Sequence, residues 1–203
     1  MPAPPLAWNF SMASTLNFNS FSRGGWNLQR DWRGRWRWRY SYNATATGLD
    51  NRVLSTNADT LNISATAFAS RWRTGRATGL KNSKIFFGGS NINISAYAKG
   101  RDAYAIGMLG SLIQACGCDD KTININAKSR VFSYDPAWGM QRSAILTGSG
   151  NDSINITADA GYANRWGRRS RSQILAKGME NSLLNTGSGD DVITIKAIAN
   201  ADR

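Results

Sequence analysis

Five short segments of this chain end in nearly the same four residues. They read NISA at 62–65, NISA at 93–96, NINA at 124–127, NITA at 155–158 and TIKA at 194–197. Ile63, Ile94, Ile125, Ile156 and Ile195 recur at the same place, and polar residues stand on either side of them. Strict alternation of apolar and polar residues is the period of a strand with one buried face. A chain that repeats such a strand five times must find five equivalent places for it.

Each tail closes a longer unit. The last, Gly178 to Ala199, reads GMENSLLNTGSGDDVITIKAIA, and Gly139 to Ala160 reads GMQRSAILTGSGNDSINITADA. Both start Gly-Met, carry a serine four residues on (Ser143, Ser182), then two apolar residues and a Thr-Gly-Ser-Gly turn. More degenerate versions start at Gly48, Gly79 and Gly107, so the steps between starting glycines are 31, 28, 32 and 39 residues. One unit cannot bury its own apolar face, whereas stacked units share a continuous core. The expected fold is therefore all-β: a single-domain parallel β-solenoid of about five irregular coils with an Arg/Trp-rich N-terminal extension. An antiparallel sandwich of short strands is the competing arrangement. Residues 1–47 are expected to form an arm with a strand at Thr15 to Phe21 that caps the first coil, and residues 48–203 the repeat domain.

The composition agrees with tight β-coils. There are 20 glycines, 4 prolines and a single glutamate, Glu180. Asparagine, serine and threonine are abundant, which suits turns and ladders better than long helices. No apolar run is long enough to cross a membrane as a helix. The start, MPAPPLAWNF, lacks the basic and apolar regions of an ordinary secretory signal. The expected location is cytoplasmic or peripheral to an assembly, with non-classical export as the alternative.

Charge points to partners. The net charge is +12, from 18 arginines and 7 lysines against 13 acids. Such a balance favours acidic proteins, nucleic acid or an anionic surface. The basic residues are interleaved with aromatics. Residues 23–42 read RGGWNLQRDWRGRWRWRYSY and hold Arg30, Trp32, Arg33, Arg35, Trp36, Arg37, Trp38 and Arg39. In an extended strand, arginines and aromatics from Arg35 onward would occupy opposite faces. A sealing edge hairpin is one role for this stretch, and a recognition arm is the other, since Trp and Arg dominate binding hot spots. Aromatic faces beside guanidinium groups also suit stacked bases. The joins between units repeat the pattern, with Arg71, Trp72, Arg73 and Arg76 in the first and Arg165, Trp166, Arg168, Arg169 and Arg171 in the last. Insertions in solenoids gather on one edge, so a basic aromatic stripe is expected there.

The turns at Gly148 to Asp152 and Gly187 to Asp191 resemble the hemolysin-type (RTX) calcium-binding repeat, with Asp152 and Asp191 at the family's aspartate position. The resemblance implies Ca²⁺ held between stacked turns by Asp152 and Asp191 with backbone carbonyls. Family repeats recur every nine residues, and these do not. A glycine turn capped by its own Asp or Asn needs no ion.

Histidine is absent, which removes Ser-His and Cys-His catalysis. Cys116 and Cys118 sit in one turn without the further ligands that a zinc site needs. Aspartates on a carbohydrate-cleaving β-helix are the only enzymatic precedent that fits the remaining residues. The expected role is non-enzymatic: a structural or linker protein that binds acidic protein subunits in a large assembly. Basic linkers among the acidic light-harvesting proteins of phycobilisomes show the same charge logic. A nucleic-acid-binding module and an extracellular calcium-stabilised surface or adhesion protein are the rival readings.

Overall fold

The computed structural model describes residues 15–24, 26–30, 36–40, 43–70, 72–115, 117, 119–162 and 174–200. The chain begins with β1 (Thr15–Arg23), followed by β2 (Trp26–Arg30) and β3 (Trp36–Tyr40), which pair antiparallel. The first repeat gives β4 (Ala44–Asp50), β5 (Val53–Thr56) and β6 (Thr60–Phe68). Next come β7 (Gly75–Lys81), β8 (Lys84–Phe87) and the long β9 (Asn91–Leu109). After β10 (Leu112–Ala115) a second long strand follows, β11 (Thr122–Gln141). The remaining strands are β12 (Ala144–Leu146), β13 (Ser153–Tyr162), β14 (Ile174–Glu180), β15 (Leu183–Asn185) and β16 (Val192–Asn200).

The protein is all-β, with two parallel repeating sheets in a solenoid-like arrangement. A nine-stranded sheet contains the path β1-β6-β9-β11-β13-β16, with β4, β7 and β14 joined to it through β9 and β11. A five-stranded sheet has the order β15-β12-β10-β8-β5. Pairing follows the repeat. Ile63 lies beside Ile94, Ile94 beside Ile125, Ile125 beside Ile156, and Ile156 beside Ile195. The predicted strand at Thr15 to Phe21 is present within β1, and its Phe18 extends the same file by pairing with Ile63.

Buried isoleucines and leucines with Phe87, Met108 and Met140 form one cluster, and alanines form two more. Ala65, Ala96, Ala127 and Ala158 are stacked in register and fully enclosed. The core therefore separates bulky from small side chains, as close packing of two converging strand rows requires.

The starting glycines have a steric cause. A Cβ on Gly48, Gly79, Gly107, Gly139 or Gly178 would overlap with Cγ2 of Ile63, Ile94, Ile125, Ile156 or Ile195 of the same unit. Three residues later the backbone turns through the left-handed region, at Asn51, Asn82, Gly110, Arg142 and Asn181. One residue further, the repeated serine closes that corner. Ser83, Ser111 and Ser143 donate through Oγ to the carbonyls of Lys81, Leu109 and Gln141 at 2.7–2.8 Å. The backbone N–H groups of Arg52, Ser83, Ser111 and Ser143 donate to Oγ of Ser83, Ser111, Ser143 and Ser182 in the next unit, at 3.1–3.2 Å. This ladder satisfies donors that a buried corner would otherwise strand.

The two ends of the stack differ. At the amino-terminal side β1 covers β6. At the carboxy-terminal side Leu183, Val192, Ile193 and Ile195 are exposed, although Ile154 and Ile156, the counterparts of Ile193 and Ile195 one unit earlier, are fully buried.

Candidate interaction surface

The basic and aromatic residues converge where β1, β6 and β9 lie side by side. Arg23 pairs with Phe68, Phe68 with Lys99, and Lys99 with Arg130, so four outward positions form one file. Phe21 precedes Arg23 by two residues on the same face of β1. The Phe21 and Phe68 rings are 5.7 Å apart and tilted by 60°, and Phe68 meets the Tyr97 ring edge-on at 5.4 Å. These are favoured aromatic geometries. Phe21, Arg23, Phe68, Ala69 and Lys99 line a depression of about 370 Å³.

The segment after β6 is fixed against this depression by backbone hydrogen bonds. The Ala69 N–H donates to the Lys99 carbonyl and the Arg101 N–H to the Arg73 carbonyl, each at 2.7 Å. Trp72 and Arg73 are exposed in this turn. Arg76, the first cation of β7, lies 5.1 Å from the centroid of the Tyr104 ring, a cation–π contact.

Charge is distributed unevenly along the file. Arg130 is neutralised by Asp159, with hydrogen bonds of 3.0 Å and 2.6 Å from its two terminal nitrogens, and Lys128 stands 3.9 Å from the same carboxylate. Among the described residues Arg23, Lys99 and Arg101 have no such acid beside them. Among the described residues, the cations of this file outside an ion pair are thus Arg23 and Lys99.

Of the residues singled out in the sequence, Trp72, Arg73 and Arg76 belong to this corner. Arg30, Trp36, Arg37, Trp38 and Arg39 lie on the backbone of the β2–β3 pair, where Arg30 is opposite Trp36 and Gln29 opposite Arg37. Trp32, Arg33, Arg35, Arg71, Arg165, Trp166, Arg168, Arg169 and Arg171 lie outside the described residues, as do Cys116 and Cys118. Phe68 escaped the sequence reading. Its signal was its place two residues beyond the last strictly alternating position of β6, and only stacking shows that this place adjoins Arg23 and Lys99.

The aspartates of the two glycine turns bond across the stack, each accepting a backbone N–H of the preceding unit rather than capping its own turn. Asp152 accepts the Lys121 N–H at 2.8 Å, and Asp191 accepts the Asp152 N–H at 2.9 Å. Asp120 accepts the Asn151 N–H at 2.7 Å, and the Asn151 side-chain oxygen accepts the Asp190 N–H at 2.9 Å. Gly148, Gly150, Gly187 and Gly189 all have positive φ. Ca²⁺ takes six to eight oxygen ligands. Here the carboxylate oxygens Oδ1 of both aspartates are occupied by backbone donors, and the Lys121 side chain is buried nearby in sequence. Among the described residues no group of three or more acidic or cysteine side chains is gathered to hold a metal.

A second, open groove of about 630 Å³ follows the left-handed corner past Ser83, Ser111 and Ser143. Its serine hydroxyls are already engaged in the ladder. Among the described residues no helix is long and apolar enough to cross a membrane. Comparison of the chain with protein-family models, with curated proteins and with solved structures finds no match.

Proposed function

We propose that this chain is a five-coil parallel β-solenoid acting as a non-enzymatic structural linker, and that an acidic protein partner docks on the corner formed by Phe21, Arg23, Phe68, Tyr97 and Lys99. The carrying observation is the depression in which Arg23 and Lys99, neither paired with an acid among the described residues, flank the Phe21 and Phe68 rings, with Tyr97 edge-on to Phe68. Aromatic anchors ringed by charge are what a hot spot needs. A net charge of +12 supplies long-range attraction to an acidic surface. The in-register file of Ile63, Ile94, Ile125, Ile156 and Ile195 supports the reading of five coils. The glycine turns are structural in this reading, without bound calcium. The β2–β3 arm, with its Arg and Trp content, is a second contact for the same partner.

The test is native purification of the tagged full chain with mass spectrometry of what accompanies it. Stoichiometric acidic subunits are expected, and Arg23→Glu with Lys99→Glu releases them while Arg52→Glu does not. Phe68→Ala weakens the complex at least about tenfold, as truncation of a hot-spot residue does. Recovery of the monomer alone sinks the linker reading. Nucleic acid as the dominant companion, with affinity falling steeply as salt rises, replaces it with a nucleic-acid-binding module.

A further inference from the structure

Where β1, β6, β9, β11 and β13 begin, the outward face of the nine-stranded sheet has a composition unlike the rest of the chain. On β1 the first three outward residues are Thr15, Asn17 and Asn19. The residues stacked on them are Thr60, Asn62 and Ser64, then Asn91, Asn93 and Ser95, then Thr122, Asn124 and Asn126, then Ser153, Asn155 and Thr157. Three positions on each of five strands make fifteen, and every one is Thr, Asn or Ser. The chain carries 25 basic and 13 acidic residues, yet none falls on the grid of these five strands, which ends at β16, where the same files continue as Val192, Thr194 and Lys196. No aromatic or aliphatic side chain falls on it either. Core packing does not explain the choice, because these side chains point away from the core.

The middle file is ordered by its own hydrogen bonds. Asn62 donates through Nδ2 to Oδ1 of Asn17 at 2.8 Å, Asn93 to Asn62 and Asn124 to Asn93 at 2.9 Å, and Asn155 to Asn124 at 3.1 Å. Each amide has two N–H donors and two carbonyl lone pairs. The ladder uses one of each for an inner asparagine, fixes the plane of the amide and leaves one of each outside the ladder. The flanking threonines have few rotamers. Ladders of this kind also hold a sheet flat, and the register is unbroken across all five strands. Equivalent groups therefore recur about every 4.8 Å across the strands and about every 6.6 Å along them.

We propose that this face is an ice-binding surface, which orders water on its grid and adsorbs to the lattice of ice. A pre-oriented, uncharged array periodic in two directions is fully used only by a partner periodic in two directions. Ordered water is such a partner, and every grid position offers it a hydroxyl or an amide. Little side-chain entropy remains to be lost on binding. An acidic protein finds no countercharge here. A crystalline polysaccharide would find no flat aromatic ring to stack on.

The experiment uses the full chain. Slow growth of ice from a dilute solution measures partition into the solid, and coarsening of fine ice grains measures adsorption. The wild type should be enriched in the ice and should arrest coarsening. Ser95→Arg and Thr122→Arg change the grid without touching the asparagine ladder, and each should lose at least about tenfold in potency. Gln114→Arg, on the outer side of the five-stranded sheet, should keep it, with circular dichroism and melting confirming that all variants are folded. Exclusion of the wild type from ice, or undiminished potency of Ser95→Arg and Thr122→Arg, overturns the proposal. Retention on microcrystalline cellulose or chitin without enrichment in ice overturns it in favour of a sugar lattice.

Discussion

Ile156 Cγ2 occupies the space into which a side chain on Gly139 would project. A methyl there would overlap with it and lie 2.5 Å from the Gly178 carbonyl oxygen of the next unit. Neither obstacle is the free end of a flexible chain. Gly139→Ala should therefore destabilise the protein by about 1–3 kcal/mol through overpacking, despite the usual gain from removing a glycine. Urea unfolding measures it. In a double-mutant cycle with Ile156→Ala the two changes should be less than additive, because truncating Ile156 removes one of the two clashes. Strict additivity would show that the contact does not set the register.

Stability should fall towards the carboxy-terminal end. Ile125 is 1% exposed and Ile195, on the same file two units later, is 47% exposed. Ile125→Ala should cost about 2–5 kcal/mol, as truncation of a buried isoleucine does, and Ile195→Ala clearly less. Hydrogen exchange should show the backbone of β16 opening before that of β9, as expected of stacked repeats with an open end. Equal protection in both strands contradicts this.

Asp152 tests what the glycine turns are for. Asp152→Ala leaves the buried Lys121 N–H without its acceptor and should cost about 1–3 kcal/mol. Asp152→Asn keeps an oxygen in the same place and should cost much less. Adding Ca²⁺ or a chelator should leave the melting temperature of the wild type where it is. A calcium-dependent rise that disappears in Asp152→Asn with Asp191→Asn would restore the hemolysin-type reading.

Glu180 gives an acid-sensitive contact. Its carboxyl is held below the ordinary value of 4.5, first by the hydrogen bond from Lys177 and then by that from Gln141. A depressed folded-state pKa means that the unfolded chain binds the proton more readily. The contribution is complete above 4.5 and is lost as pH falls through the depressed value. Between about pH 6 and about pH 3, urea midpoints of the wild type and of Glu180→Gln should therefore converge. Curves that stay parallel would mean that the ion pair adds no pH-dependent stability.

The inward half of the fold was legible because period two is a local signal. Each Ile–x–Ala tail states its own buried face. The starting glycine and the serine four residues later were visible as a pattern, but their reasons lie across the stack. Gly139 answers to Ile156, and Ser143 completes the hydrogen bonds of Ser111. The left-handed corner was missed because Asn51, Asn82 and Asn181 alternate with Gly110 and Arg142, and residue type alone does not announce a shared φ. The outward grid was missed for a similar reason. Thr, Asn and Ser were read as turn formers, and only register shows them forming a sheet face. Phe68 and Arg23 are 45 positions apart, so their contact is a property of stacking alone.

The units Gly48 to Ala67 and Gly178 to Ala199 differ by two residues in length, whereas the joins between units run from 99–106 to 161–177. The chain passes this edge as a turn after β6, as continuous strand in β9, and as a register shift between Val131 and Tyr134 in β11. Alignment is re-established inside each unit by its own glycine and serine. Length added at the edge is thus invisible to the layers on either side. The molecule has a built-in display position, where foreign loops of varied size could be grafted while the scaffold keeps its alignment.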